Sequence, residues 1–164
     1  MRAVRGESLA HAACVNVSAL GELKRSETDS WVIQGQISNL RYATREELTT
    51  LKATQEALGR PSAQCAAMIP IKKSSSWWDL AQDERRAIFE ERSQHTKIGM
   101  RYLPAIARQL YHSRDLGEPF DFITWFEYDC AHAKAFEELV ARLRATPEWE
   151  FVEREIDLRL ERHQ

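Results

Sequence analysis

Strand-forming runs alternating with helical stripes predict an α+β fold for this 164-residue chain, and three observations carry the prediction. Near the C-terminus Val152, Ile156, Leu158 and Leu160 face one way and Glu153, Glu155, Asp157 and Arg159 the other, the period-2 signature of a half-buried strand. Before it, Phe136, Leu139, Val140 and Leu143 repeat at i, i+3, i+4, i+7, one apolar face of a helix. Two further apolar runs, CAAMIPIK from Cys65 and PFDFITWFEY from Pro119, have the length and composition of strands. Strands and helices in this order match a ferredoxin-like βαββαβ sheet enlarged by a helical insert.

The elements are expected as follows. Residues 1–29 read as an N-terminal tail or arm, and residues 30–164 as one domain. The Ser8–Leu20 stretch is mildly apolar but interrupted by His11 and Asn16, short of the unbroken core of a secretory signal. A cytoplasmic location is therefore expected, with a periplasmic one left open. Trp31–Ser38 is rich in strand formers and predicts the first strand. From Thr44, Leu48, Leu51 and Leu58 mark a helix that Gly59 and Pro61 stop. The strand at Cys65–Lys72 follows, its proline suited to an edge. A helical insert comes next: a charged helix from Asp83 to Gln94, then a helical stretch from His95 to His112 broken by Pro104. The strand from Pro119 to Tyr128 places Phe120, Phe122 and Phe126 on one face and Ile123 and Trp125 on the other. Aromatics on both faces imply that the second face is also covered, by another subunit or a cofactor.

Composition narrows the function. Hydrophobic residues make up 43% and charged residues 29%, as in ordinary globular proteins, and the formal charge of −2 offers no footprint for nucleic acid or an anionic membrane. No run approaches a membrane span. Three cysteines, Cys14, Cys65 and Cys130, argue against a disulfide framework and a zinc ribbon. There is no HExxH, and no GxSxG to mark a nucleophile. Only six glycines leave little material for a phosphate loop, whereas five tryptophans are many for this length. Trp77 and Trp78 adjoin a serine turn, and their apolar area is costly to leave in water. They serve as core packing or as the wall of a flat aromatic cofactor, with Lys72 and Lys73 placed to meet its carboxylates. A histidine downstream completes the parts of a haem site.

The segment IPIKKSSSWWDLAQDERRAIFEERSQHTKIGMRYLPAIARQLYHSRDLGEPFDFITWFEY, with TPEWEFVEREIDLRLER, closely resembles the short type of the chlorite dismutase family. The resemblance implies a dimeric α+β barrel of ferredoxin-like domains, haem b as cofactor, and conversion of chlorite to chloride and dioxygen through a ferryl intermediate. It implies His95 in SQHTKIG as the iron ligand, Arg108 in AIARQLYH as the distal catalytic residue, and Glu148 in TPEWEF as acceptor of the imidazole N–H. It further implies Lys73 as a propionate contact, Trp77 and Trp78 as cofactor-binding residues, and Asn39 and Tyr42 in SNLRY as other propionate contacts. Partners implied are chlorite and a second copy of the chain, with neither nucleic acid nor membrane.

His95 and Arg108 lie thirteen residues apart. An unbroken helix would separate them by about 20 Å and turn them roughly 220° from one face. They can flank a flat macrocycle only if the chain bends between them, and Pro104 offers the bend. Related haem proteins are the rival readings. Coproheme decarboxylases generally lack the distal arginine, dye-decolourising peroxidases pair it with an aspartate not evident here, and a non-catalytic haem-binding stress protein would share the fold.

Overall fold

The computed structural model describes residues 2–19, 22, 29–38 and 42–162. Its strands are β1 (Arg2–Arg5), β2 (Gln36–Ile37), β3 (Cys65–Lys73), β4 (Ile106–His112), β5 (Phe122–Tyr128), β6 (Val152–Glu155) and β7 (Asp157–Glu161). They form one antiparallel sheet in the order β1-β7-β3-β5-β4-β2, with β6 also paired to β3. The helices are α1 (Arg45–Thr54), α2 (Ser75–Asp79), α3 (Gln82–Arg86), α4 (His95–Met100) and α5 (Ala133–Arg144). α3 runs on as a π-helical stretch, Ala87–Arg92.

The α+β, ferredoxin-like class is the one expected, but different strands build it. Taking β3, β4, β5 and the β6–β7 pair as strands one to four, the sheet order is 4-1-3-2, so the βαββαβ unit starts at Cys65. Its first crossover is the run α2 to α4, and its second is α5. Ile106–His112, expected to be helical, is β4. Its Ala, Arg, Gln and Leu favour a helix locally, yet pairing along all seven residues with β5 and burial of Ile106 and Ala107 override that preference. The expected first strand shrinks to Gln36–Ile37, which pairs only with Tyr111 and His112 at the edge.

One face of the sheet carries Ile69, Ile71, Ile106, Phe122 and Phe126, and α5 covers it with Phe136, Leu139, Val140 and Leu143. The other carries Met68, Ile123, Ile156 and Leu158, joined by Phe120. Expected beside Phe122 and Phe126, Phe120 takes the opposite face because it lies just outside β5, where the strand alternation does not hold. Ala3, Leu9, Trp31 and Ile33 cover part of it, so the chain supplies some of that covering itself. Contacts tie the N-terminal stretch to the sheet: β1 pairs with β7, and the Trp31 indole donates to the Ala10 carbonyl at 2.9 Å.

Two further expectations are corrected. Cys65 and Cys130 form a disulfide, their Cα atoms 5.3 Å apart, and Cys14 is free. Cys65 pairs with Tyr128 across β3 and β5, which brings it beside the turn that Cys130 begins. Glu155 and Asp157 were expected outward, but both are buried. The strand breaks at Ile156, so the alternation resets. Their charges are met by arginines: Arg144 on both, Arg5 on Glu155 at 2.7 Å, and Arg159 on Asp157 at 2.6 Å.

Candidate haem site

Between the sheet, α1, α4 and α5 lies a cavity of about 1090 Å³, its open mouth included. Its walls are mostly apolar, with Leu48, Leu51, Ile69, Phe89, Phe122 and Val140 among them. His95, Arg108, Glu148, Lys73, Tyr42 and Trp149 also line it.

His95 opens α4, and a short turn (Pro147–Phe151) brings Glu148 beneath it. Glu148 Oε2 lies 2.7 Å from His95 Nδ1 and Oε1 lies 2.6 Å from Lys73 Nζ. The Glu148 backbone N–H donates to Ser93 Oγ at 3.0 Å. Burial alone would raise the Glu148 pKa, but the His95 and Lys73 charges and their hydrogen bonds overcome it and hold the carboxyl down to about 2. An ionised carboxylate only accepts, so Nδ1 of His95 donates in this bond and Nε2 is the ring nitrogen left over. Phe89 stacks on the imidazole with centroids 4.3 Å apart, fixing its plane.

Lys73, expected at a cofactor carboxylate, lines the cavity and is paired with Glu148. Its ammonium is turned to Glu148, is 3% exposed as a residue, and sits over the Trp77 ring at 4.5 Å. Burial lowers its pKa, while Glu148 and Asp121 oppose the change. Trp77 and Trp78 are not among the residues that line the cavity. Trp77 is fully buried against Tyr42 and Phe151, and Trp78 stacks on Phe122 beneath Arg114. Trp149 is the indole in the wall. Asn39 falls outside the described residues.

Arg108 points from β4 into the cavity, on the face shared with Phe126. Its guanidinium packs against Gly99, where an added Cβ would stand 3.4 Å from Cζ. Gly99 is one turn along α4 from His95, so the strand, and not a bent helix, brings the two residues to one space. Burial lowers the Arg108 pKa, with Glu90 opposing. A residue the sequence did not single out holds its backbone: the Gln55 amide donates to the Arg108 carbonyl at 2.9 Å and accepts from its N–H at 3.2 Å. No local motif announces this pairing, because it depends on where β4 loses its neighbour β2.

The donor set fits a haem. An imidazole whose Nδ1 is taken up by Glu148 lines a mostly apolar cavity. The buried Tyr42 hydroxyl, which also lines it, has no hydrogen-bond partner among the described residues and suits a cofactor carboxylate. Among the described residues, no cluster of three or more His, Cys, Asp or Glu could instead hold a bare metal ion.

A family model described as chlorite dismutase matches residues 7–162. Among solved structures, a dimeric chlorite dismutase from Nitrobacter winogradskyi is 56% identical, with a TM-score of 0.79 over 84% of this chain and 81% of that one. The chlorite dismutase from Candidatus Nitrospira defluvii in complex with imidazole is 34% identical, with a TM-score of 0.57 over 69% of this chain and 44% of that one. A chlorite dismutase from Ideonella dechloratans is 39% identical over 83 residues, which are 51% of this chain and 27% of that protein. The matches to the last two thus span less than half of those longer proteins.

Proposed function

The chain belongs to the chlorite dismutase family, and on that premise we propose that it is a haem b enzyme converting chlorite to chloride and dioxygen. The observation that carries the reading is the 2.7 Å contact between His95 Nδ1 and Glu148, in a cavity that also holds Arg108. Haem b, when bound, supplies the iron and the redox chemistry by which both oxygens of chlorite leave as dioxygen and its chlorine as chloride.

The residues have separable tasks. His95 would hold the iron through Nε2, and Glu148, accepting from Nδ1, would orient the imidazole and make it more electron-rich. Lys73 keeps that carboxylate ionised at its buried position. Tyr42 donates to a cofactor carboxylate. Arg108, charged at all working pH values, binds the chlorite anion and holds reactive chlorine oxyanions in the cavity until dioxygen forms. The overall conversion consumes no proton, so mostly apolar walls are adequate.

A homodimer is part of this reading, supported by the Nitrobacter winogradskyi relative being dimeric. Among the described residues no helix is long and apolar enough to cross a membrane. The Cys65–Cys130 disulfide supports an oxidising compartment such as the periplasm over the cytoplasm.

An oxygen electrode tests the activity. Haem-loaded protein given chlorite is expected to release oxygen rapidly without an added reductant. Slow peroxidase activity with no oxygen release would favour the peroxidase or stress-protein alternatives.

A further inference from the structure

Helix α1 buries only Leu48 and Leu51, and both side chains line the haem cavity. The same two leucines also line a second, more open groove of about 1190 Å³, together with Ile37, Lys52 and Gln55. α1 is therefore a partition one helix thick between the cavity and an open groove. A ten-residue helix is too short to be stable by itself, so its docking determines whether it stays in place.

Among the described residues, the polar ties of α1 to the rest of the fold are at its two ends. At the first turn, the Arg86 guanidinium forks onto Glu47, with Nη1 3.3 Å from Oε2 and Nη2 3.2 Å from Oε1. At the last, Gln55 bonds the backbone of Arg108. The Arg86–Glu47 pair is half-exposed, with side chains 30% and 25% accessible, so it is a weak bond that opens readily. Glu47 lines the cavity near Tyr42, the residue suited to a cofactor carboxylate.

We infer that α1 is a hinged cover over the cavity, pivoting near Gln55 and fastened by the Glu47–Arg86 clasp, and that haem enters by lifting it. The leucine contacts are soft and the Gln55 end is anchored to a sheet strand, so the clasped end moves. An incoming macrocycle presents carboxylates that compete with Glu47 for Arg86, which opens the clasp as it binds. The identity of the entering ligand rests on the haem reading; the cover itself does not.

Two measurements on the full chain test this, with Glu47→Gln, Arg86→Gln and Arg86→Lys. Glutamine keeps the reciprocal cap between Thr44 and residue 47, so helix initiation is preserved. In amide exchange without haem, residues 45–54 of the parent are expected to exchange faster than β3 and β5. Glu47→Gln and Arg86→Gln should speed them about three- to fivefold further, while β3 and β5 stay unchanged and Arg86→Lys stays near the parent. In stopped-flow mixing with haemin, the same two variants should take up haemin faster by a similar factor. Exchange of α1 no faster than the central strands, or unmoved in the variants, overturns the cover. Faster exchange with unchanged haemin uptake overturns entry by this route. If the parent takes up no haemin while α1 exchange behaves as expected, the haem reading fails and the cover stands.

Discussion

The Lys73 ammonium lies 2.6 Å from Oε1 of Glu148, and both side chains are almost wholly removed from water, at 1% and 4% exposure. Lys73 is thus tied to the carboxylate that holds His95. Removing one member of such a pair strands the other charge, which typically costs about 3–5 kcal/mol. Lys73→Met and Glu148→Gln are each expected to lose about that much in urea unfolding of the haem-free protein. The double variant should lose clearly less than their sum, because neither charge is stranded. A Lys73→Met variant with unaltered stability and only weaker haem binding would return the lysine to the cofactor.

Acid should expose the same carboxylate. Glu148 is held down to about 2 in the folded chain, against about 4.3 for a free glutamate. A lowered carboxyl pKa stabilises the fold above the unfolded value and loses that contribution as pH falls through the folded one. The loss is therefore expected between about pH 4.5 and pH 2 and is on the order of 3 kcal/mol. Urea midpoints at pH 7, 5, 4 and 3 measure it, and Glu148→Gln should flatten the slope attributable to this site.

What was legible in the sequence depended on how local the cause was. The α5 stripe and the two long apolar strands were readable because their patterns are short-range, and α5 buries the stripe expected of it. But Phe120 packs on the face opposite Phe122 and Phe126, and β3, proline included, is paired on both sides and is no edge strand. β4 was not, because IARQLYH is a strand only where β5 pairs with it. Glu155 and Asp157 misled for a similar reason: the partners that make their burial tolerable, Arg144 and Arg159, come from α5 and β7. His95, Arg108 and Glu148 came from a family resemblance, and the fold brings all three to one cavity. The same resemblance placed Lys73 and the tryptophan pair at the cofactor. Geometry turns Lys73 to Glu148 and puts Trp149 in the wall in place of the pair. Gln55 bears no signal at all, since its role comes from the missing neighbour of an edge strand.

Arg108 is expected to matter for turnover more than for loading. Its guanidinium rests against Gly99, and no metal ligand depends on it. Arg108→Ala should bind haem with an unchanged Soret band yet lose more than about tenfold in the rate of oxygen release from chlorite. It should also bleach faster during turnover, because oxidised chlorine species escape. Arg108→Lys keeps the charge without the rigid fork and should fall between the two. Sustained oxygen release at the parental rate in the alanine variant would remove the residue from the mechanism.

The disulfide should be a structural clamp on the cavity. Cys65 begins the central strand β3, and Cys130 lies on the turn that leads into α5, whose Val140 and Leu143 form part of the wall. The bridge spans 65 residues, and closing a loop of that length in the unfolded chain is worth about 4 kcal/mol. Reduction is therefore expected to lower the melting temperature by about 10 °C. A Cys65→Ala/Cys130→Ala variant should melt at the lower temperature and no longer respond to reductant. Thiol titration gives an independent check: the denatured, unreduced chain should show the single thiol of Cys14, and the reduced chain all three. Because Val140 and Leu143 of α5 form part of the cavity wall, reduction should also speed the loss of bound haem. A lowered melting temperature with haem retention unchanged would confine the bridge to global stability and leave the wall held by the packing of Phe136, Leu139 and Val140 alone.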